Sequence, residues 1–274
     1  MSAPTGIRSG VGFRNCVVFP LTAAGLPEPG AAAAAAYEGI HVSGAKVLTI
    51  NEPEPRRISH IGDDTVLTLD FLPPTEAASA ELHSGKVNDI LDAAIGGMKA
   101  FTVGEFAMLG VATDQRGYEP QVGLLAYRQA QDTDPASATF GLRTWDFRLM
   151  PKAWLYARDA GYNDQPEDRV YTVTPAYCTA HLWGTAFSTS TEGMLRSQML
   201  RGVSFGKPKL VAWKGDNSRV AFNLPTTAPA VSTDKMTVWV NGTLQTSGLT
   251  KTTSSLTFTA APATNAIIVC FYEA

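Results

Sequence analysis

The chain has 274 residues, 45% of them hydrophobic and only 17% charged, which is enough apolar material for one large or two modest domains. Its 22 Lys+Arg against 25 Asp+Glu leave a formal net charge of −3, a balance that argues against gripping nucleic acid mainly through a basic surface. No apolar run approaches the roughly 18 residues of a membrane helix, Met1 to Thr5 lack the basic patch and apolar core of a secretion signal, and Cys16, Cys178 and Cys270 are odd in number and too far apart for a disulfide framework or zinc ribbon. A soluble protein folded in a reducing cytoplasm, without membrane insertion, is the expectation.

Along the chain, the leading segment up to Pro20 reads as an arm, and residues 20–36, with Pro20, Pro27, Pro29 and a run of alanines, as a connection. Residues 51–57 are polar, broken by Pro53 and Pro55, and charged with both signs, which reads as the start of a loop taken to run to Asp64. Period-two alternation then takes over. In residues 65–71, Leu67, Leu69 and Phe71 share one face before Pro73-Pro74 ends the strand. Residues 84–96 change period: Val87, Ile90, Leu91, Ala94 and Ile95 follow helical spacing, with Ser84 as a plausible N-cap and Gly96-Gly97 as the stop. This predicts one amphipathic helix laid across a sheet.

Strands are predicted again at 122–127, 143–149, 153–157, 170–173, 182–187 and 210–213, with a loop over 158–169 and an unresolved choice of a second short helix at 191–201. Composition changes near Phe222, because only Asp234, Lys235, Lys251 and Glu273 carry charge from Asn223 to Ala274. Residues 224–229 read as a linker. Beyond it, 237–240 runs into Asn241-Gly242, a type I′ hairpin signal, and strands at 256–259 and 267–272 complete a small β unit. The expected fold is mainly β: an antiparallel β-sandwich or half-barrel with one flanking α-helix over 1–222, carrying an N-terminal arm and long loops, plus a small C-terminal β domain over 223–274.

Motifs for catalysis or metal binding are weak. Gly202-Val203-Ser204-Phe205-Gly206 matches the nucleophile-elbow pattern, but no histidine follows Ser204 and Lys207-Pro208 cannot easily open the helix that elbow requires. His41, His60, His83 and His181 lack ligand spacing. Asp132-Thr133-Asp134 begins like a calcium loop, but Pro135 and a missing glycine spoil it. No enzyme activity, metal or cofactor is expected. Trp239 and Tyr272, in the charge-poor C-terminal unit, are candidate exposed aromatics on which a sugar ring could stack.

The run from Leu142 to Ala153 (LRTWDFRLMPKA), the later run Tyr171-Thr172-Val173-Thr174-Pro175 with residues 181–187 (HLWGTAF), and the helix beginning Lys86-Val87-Asn88-Asp89 together resemble the major tail tube proteins of long-tailed bacteriophages. The C-terminal segment, with Phe222 to Pro225, Val238 to Gly242 and Leu256 to Pro262, is similar to the small, often immunoglobulin-like β modules appended to phage virion proteins. The resemblance implies a structural virion subunit. Its rings, of hexameric type, would stack around a tape-measure protein, meet tail terminator and distal tail proteins, and let double-stranded DNA pass without tight binding. It also implies assembly in the host cytoplasm and residence in the tail. The N-terminal segment to Pro20 and the 51–64 and 158–169 loops are expected inter-ring contacts, with Arg56, Arg57, Asp63 and Asp64 as charge partners. The alternative is a carbohydrate- or receptor-binding virion protein acting through the C-terminal module, with Trp239 and Tyr272 as candidate glycan-facing aromatics.

Overall fold

Period-two alternation dominates the sequence, and strands dominate the fold. The computed structural model describes residues 8–29, 35–51, 56–62, 65–72, 79–86, 88–96, 99–103, 105–110, 120–137, 139–157, 169–176 and 200–274. In chain order these form β1 (Arg8–Pro20), β2 (Ile40–His41), β3 (Ala45–Asn51), β4 (Arg56–Gly62), β5 (Thr65–Leu72), β6 (Ser79–Ser84), α1 (Asp89–Gly96), β7 (Lys99–Val103) and β8 (Phe106–Gly110). They continue with β9 (Val122–Asp132), β10 (Arg143–Ala157), β11 (Arg169–Pro175), β12 (Leu200–Ser204), β13 (Pro208–Lys214) and β14 (Ala221–Asn223). The last five are β15 (Met236–Val240), β16 (Thr243–Leu244), β17 (Leu249–Lys251), β18 (Ser255–Phe258) and β19 (Ile267–Glu273). The fold is mainly β and antiparallel with one α-helix among the described residues, as the sequence predicts.

The principal sheet has the order β2-β1-β9-β10-β11-β6-β3, with β12 as an eighth strand on β10. The long β10 holds β9 along one edge, while the opposite edge serves β12 over residues 145–149 and then β11 over 153–157. Its register with β9 shifts between Met150 and Ala153. Pro151, which has no N–H to give a ladder, sits in that shift. The two strands read from the sequence at 143–149 and 153–157 are therefore one strand carried through a bulge.

This sheet curls until β3 lies against β1. The inside is an apolar core: Cys16 and Val18 from β1, Leu124 and Ala126 from β9, Leu82 from β6 and Tyr171 and Val173 from β11 meet Leu91 and Ile95 of α1. The helix starts later than expected. Asn88 is its cap, its Oδ1 accepting the Leu91 N–H at 3.1 Å. Ser84 instead ends β6 and gives its hydroxyl to the Ser43 carbonyl at 2.7 Å. The packed stripe runs through Leu91 and Ile95, and Ile90, expected on it, stands 71% exposed. Among the described residues no helix is long and apolar enough to cross a membrane.

Three further expectations change. Arg8–Pro20 is an internal strand of the principal sheet rather than an arm, paired along its length with β9. Residues 56–62 form strand β4 rather than loop, paired with β5 from Arg56↔Leu72 to Gly62↔Thr65. The C-terminal unit begins at Pro208, ahead of the boundary expected after residue 222, because β13 pairs along its whole length with β19. Residues 158–168, the predicted strand at 182–187 and most of the 191–201 segment lie outside the described residues, while Leu200–Ser204 is strand β12.

The C-terminal unit is a small sandwich of two sheets, β13-β19-β15-β16 and β14-β18-β17. Val211, Trp213, Val238, Ile268, Cys270 and Tyr272 face Phe222, Leu256 and Phe258 across its core. The other face of the four-stranded sheet does not meet water. Its Leu210, Ala212, Trp239 and Val269 pack on Val17, Phe19, Leu125, Tyr127 and Leu149 from the outer face of the principal sheet. A strand buried on both faces loses its polar alternation, which is why β19 reads Ile-Ile-Val-Cys-Phe-Tyr. The Asn241-Gly242 turn is as predicted: φ is 48° and 78° at the two residues, the paired positive values of a type I′ turn.

Candidate assembly surfaces

Arg56 and Arg57, expected as inter-ring charges, are the first two residues of β4, opposite Leu72 and Phe71. Asp63 and Asp64 lie outside the described residues. The β4–β5 pair forms a two-stranded sheet of its own, and so does β7–β8, with register from Lys99↔Gly110 to Val103↔Phe106. Neither hairpin adds to the principal sheet or to the C-terminal sandwich. A two-stranded hairpin by itself is marginally stable in water. Among the described residues these four strands have no ladder partner outside their own hairpin. The sequence signals the β5 strand but hides the β4 partner behind Pro53 and Pro55.

Trp239 and Tyr272 are not surface aromatics. Trp239 is 1% exposed and belongs to the layer between the C-terminal sandwich and the principal sheet, while Tyr272 is fully buried inside the sandwich. The Tyr272 hydroxyl donates to the Ala228 carbonyl at 3.0 Å, and burial pushes its pKa above the ordinary phenol value. No sugar can stack on either ring without opening a core, so the glycan-facing role expected for them is corrected. The physical reason is the two-sided burial of the β13-β19-β15-β16 sheet.

Ser204 is also structural. It lies at the end of β12, 5% exposed, and donates its hydroxyl to the Gly206 carbonyl at 2.8 Å across a strand–turn–strand connection to β13. A nucleophile elbow joins a strand to a helix and displays its serine outward, so the motif match does not carry that geometry. Cys16 and Cys270 are free and buried; burial pushes the Cys270 thiol up to about 12 and raises Cys16 as well, which keeps both protonated as packing groups.

One buried polar network ties α1 to the principal sheet. Asp92 accepts from the Arg169 guanidinium at 3.1 Å through one oxygen and from the Tyr171 hydroxyl at 3.0 Å through the other. Desolvation first, and the Asp92 charge second, hold the Tyr171 pKa above its usual value. A second polar cluster sits where the two units meet: Lys209 pairs with Glu38 at 2.7 Å, and the Lys207 ammonium lies 5.0 Å from the Tyr127 ring centroid. Partial desolvation, then the positive charges of Lys209 and Lys207, lower the His41 pKa against the opposing pull of Glu38. Both clusters join elements to one another.

The β9–β10 connection differs in character. Asp132, 2% exposed, accepts the Asp134 N–H at 3.0 Å through Oδ1, and the Ser137 and Thr139 hydroxyls at 2.7 and 2.6 Å through Oδ2. The Gly141 N–H donates to its carbonyl at 2.9 Å, and Gly141 takes φ of 79°, a left-handed conformation suited to glycine. Thus the Asp-Thr-Asp run that begins like a calcium loop is a hydrogen-bonded frame. On that frame Phe140 and Leu142 stand 58% and 52% exposed. Further along the same two strands, a recess of about 190 Å³ is walled by Phe13, Leu48 and Ile50 and edged by Arg128, Asp146 and Arg148. The Arg128 guanidinium pairs with Asp146 at 3.1 Å. The sequence marks neither feature: the calcium-like Asp132-Thr133-Asp134 start says nothing of the exposed pair, and the recess gathers residues from β1, β3, β9 and β10.

No family model, curated protein or solved structure matches this chain.

Proposed function

We propose that this chain is a structural subunit that works by assembling with copies of itself, of the tail-tube kind its central runs resemble. The observation that carries the reading is the pair of hairpins, β4–β5 and β7–β8, each a two-stranded sheet without a third strand from the rest of the described chain. Hairpins of this kind gain stability when a neighbour supplies a third strand or an apolar face. A contact repeated around a ring closes it, and a second contact repeated along an axis stacks the rings.

In this role the subunits build a channel through which double-stranded DNA passes. The net charge of −3, multiplied around a ring, repels phosphates rather than gripping them. A tape-measure protein inside the tube and terminator and distal tail proteins at its ends are the partners that follow, and the virion tail is the location. The glycan-binding alternative loses its two residues, Trp239 and Tyr272, to the core. Negative-stain electron microscopy across concentration, combined with sedimentation velocity, tests the reading: rings or tubes are the expected outcome. Monomers at every concentration, and no incorporation into virions, would overturn it.

A further inference from the structure

Phe140 and Leu142 are large apolar side chains two residues apart on a loop whose shape is fixed by the buried Asp132 carboxylate. Single exposed apolar residues are ordinary, but a hydrogen-bonded frame that holds two of them in water is a feature of binding surfaces. The same chain carries a receptacle of fitting chemistry. The recess of Phe13, Leu48 and Ile50 measures about 190 Å³, and an apolar cavity of roughly 150 Å³ accepts a benzene ring. Phe140 does not line its own recess, so knob and receptacle are free to meet between molecules.

We infer that Phe140, flanked by Leu142, inserts into the Phe13–Leu48–Ile50 recess of a second copy of this chain. Charge favours the same pairing. The loop over residues 133–142 contains one charged side chain, Asp134, and the recess is lined by two arginines, Arg148 and the Asp146-paired Arg128. An arginine at the rim also has the planar face that stacks on an entering aromatic ring. Because knob and recess are different patches of one molecule, the contact is heterologous and adds subunits head to tail. The inference rests on the self-assembly reading and names one of its contacts, made by a surface distinct from the two hairpins.

The test replaces Phe140 by the photo-crosslinking residue p-benzoylphenylalanine in the full chain, mixed with isotope-labelled unmodified protein so that bonds between copies are distinguishable by mass. Crosslinks from position 140 to labelled peptides containing Phe13, Leu48 or Ile50 are expected. In parallel, Phe140→Ser/Leu142→Ser should raise the concentration needed for assembly about tenfold or more, with an unchanged thermal midpoint for the isolated subunit. Crosslinks confined to other surfaces, or a double variant that assembles at the wild-type concentration, overturn this contact and leave the assembly reading standing. A wild-type chain that stays monomeric throughout overturns both.

Discussion

An ideal Cβ placed on Gly202 overlaps the Phe147 ring, and one placed on Gly206 comes within 2.7 Å of the Glu273 Cβ. The Phe147 ring sits 5.6 Å from that of Phe271 at the layer joining the two units. The glycines of the Gly-x-Ser-x-Gly pattern are therefore spacers that let neighbouring side chains approach the backbone, and Ser204 closes the turn between them. Gly202→Ala should destabilise the fold by about 1–3 kcal/mol, the usual range for overpacking a filled core. A lower urea midpoint with an unchanged slope is the expected reading. An unchanged midpoint would mean that Phe147 can rotate aside.

At the scale of elements, the C-terminal sandwich is a layer of the molecule rather than an ornament. Its four-stranded sheet covers Val17, Phe19, Leu125, Tyr127 and Leu149, and β13 would lose its partner β19 if the chain were cut after residue 222. A fragment 1–222 should accordingly be insoluble or bind a hydrophobic dye strongly, and its thermal transition should broaden; a sharp transition in a soluble fragment would refute the layered arrangement. This also explains what could be read in advance. The Asn241-Gly242 turn, the strand at 65–71, and the Leu91–Ile95 apolar stripe were visible because each is local: a turn dipeptide, a period of two, a period of 3.6. The boundary expected after residue 222 falls late because charge density reports surface, and the charged ends of β13, Lys209 and Lys214, mask a strand whose middle is buried on both faces. The burial of Trp239 is hidden for the same reason, since a second covering sheet leaves no local mark.

For the whole molecule, support is unevenly distributed. Strands β9 and β10 are paired through their centres and covered on both faces, whereas β4–β5 and β7–β8 stand as separate two-stranded sheets. Amide protection should follow that division. In the isolated subunit, hydrogen exchange over residues 56–72 and 99–110 should be faster than over 122–132 and 143–157. In assembled material the hairpins should slow by about tenfold or more if neighbours complete them. Equal exchange in the two states would remove the hairpins from the interface, while leaving the Phe140 contact to be judged by crosslinking.

Strand β19 gives Ile268, Cys270 and Tyr272 to one core and Val269 to the other, and it bridges β13 to β15. Translation delivers this strand after every element it serves. A nascent polypeptide halted anywhere before residue 267 therefore lacks the keystone of the sandwich and the cover of the principal sheet at once. Truncated translation products therefore expose the apolar faces of both cores together, and the order of synthesis makes the last strand the one that closes the molecule.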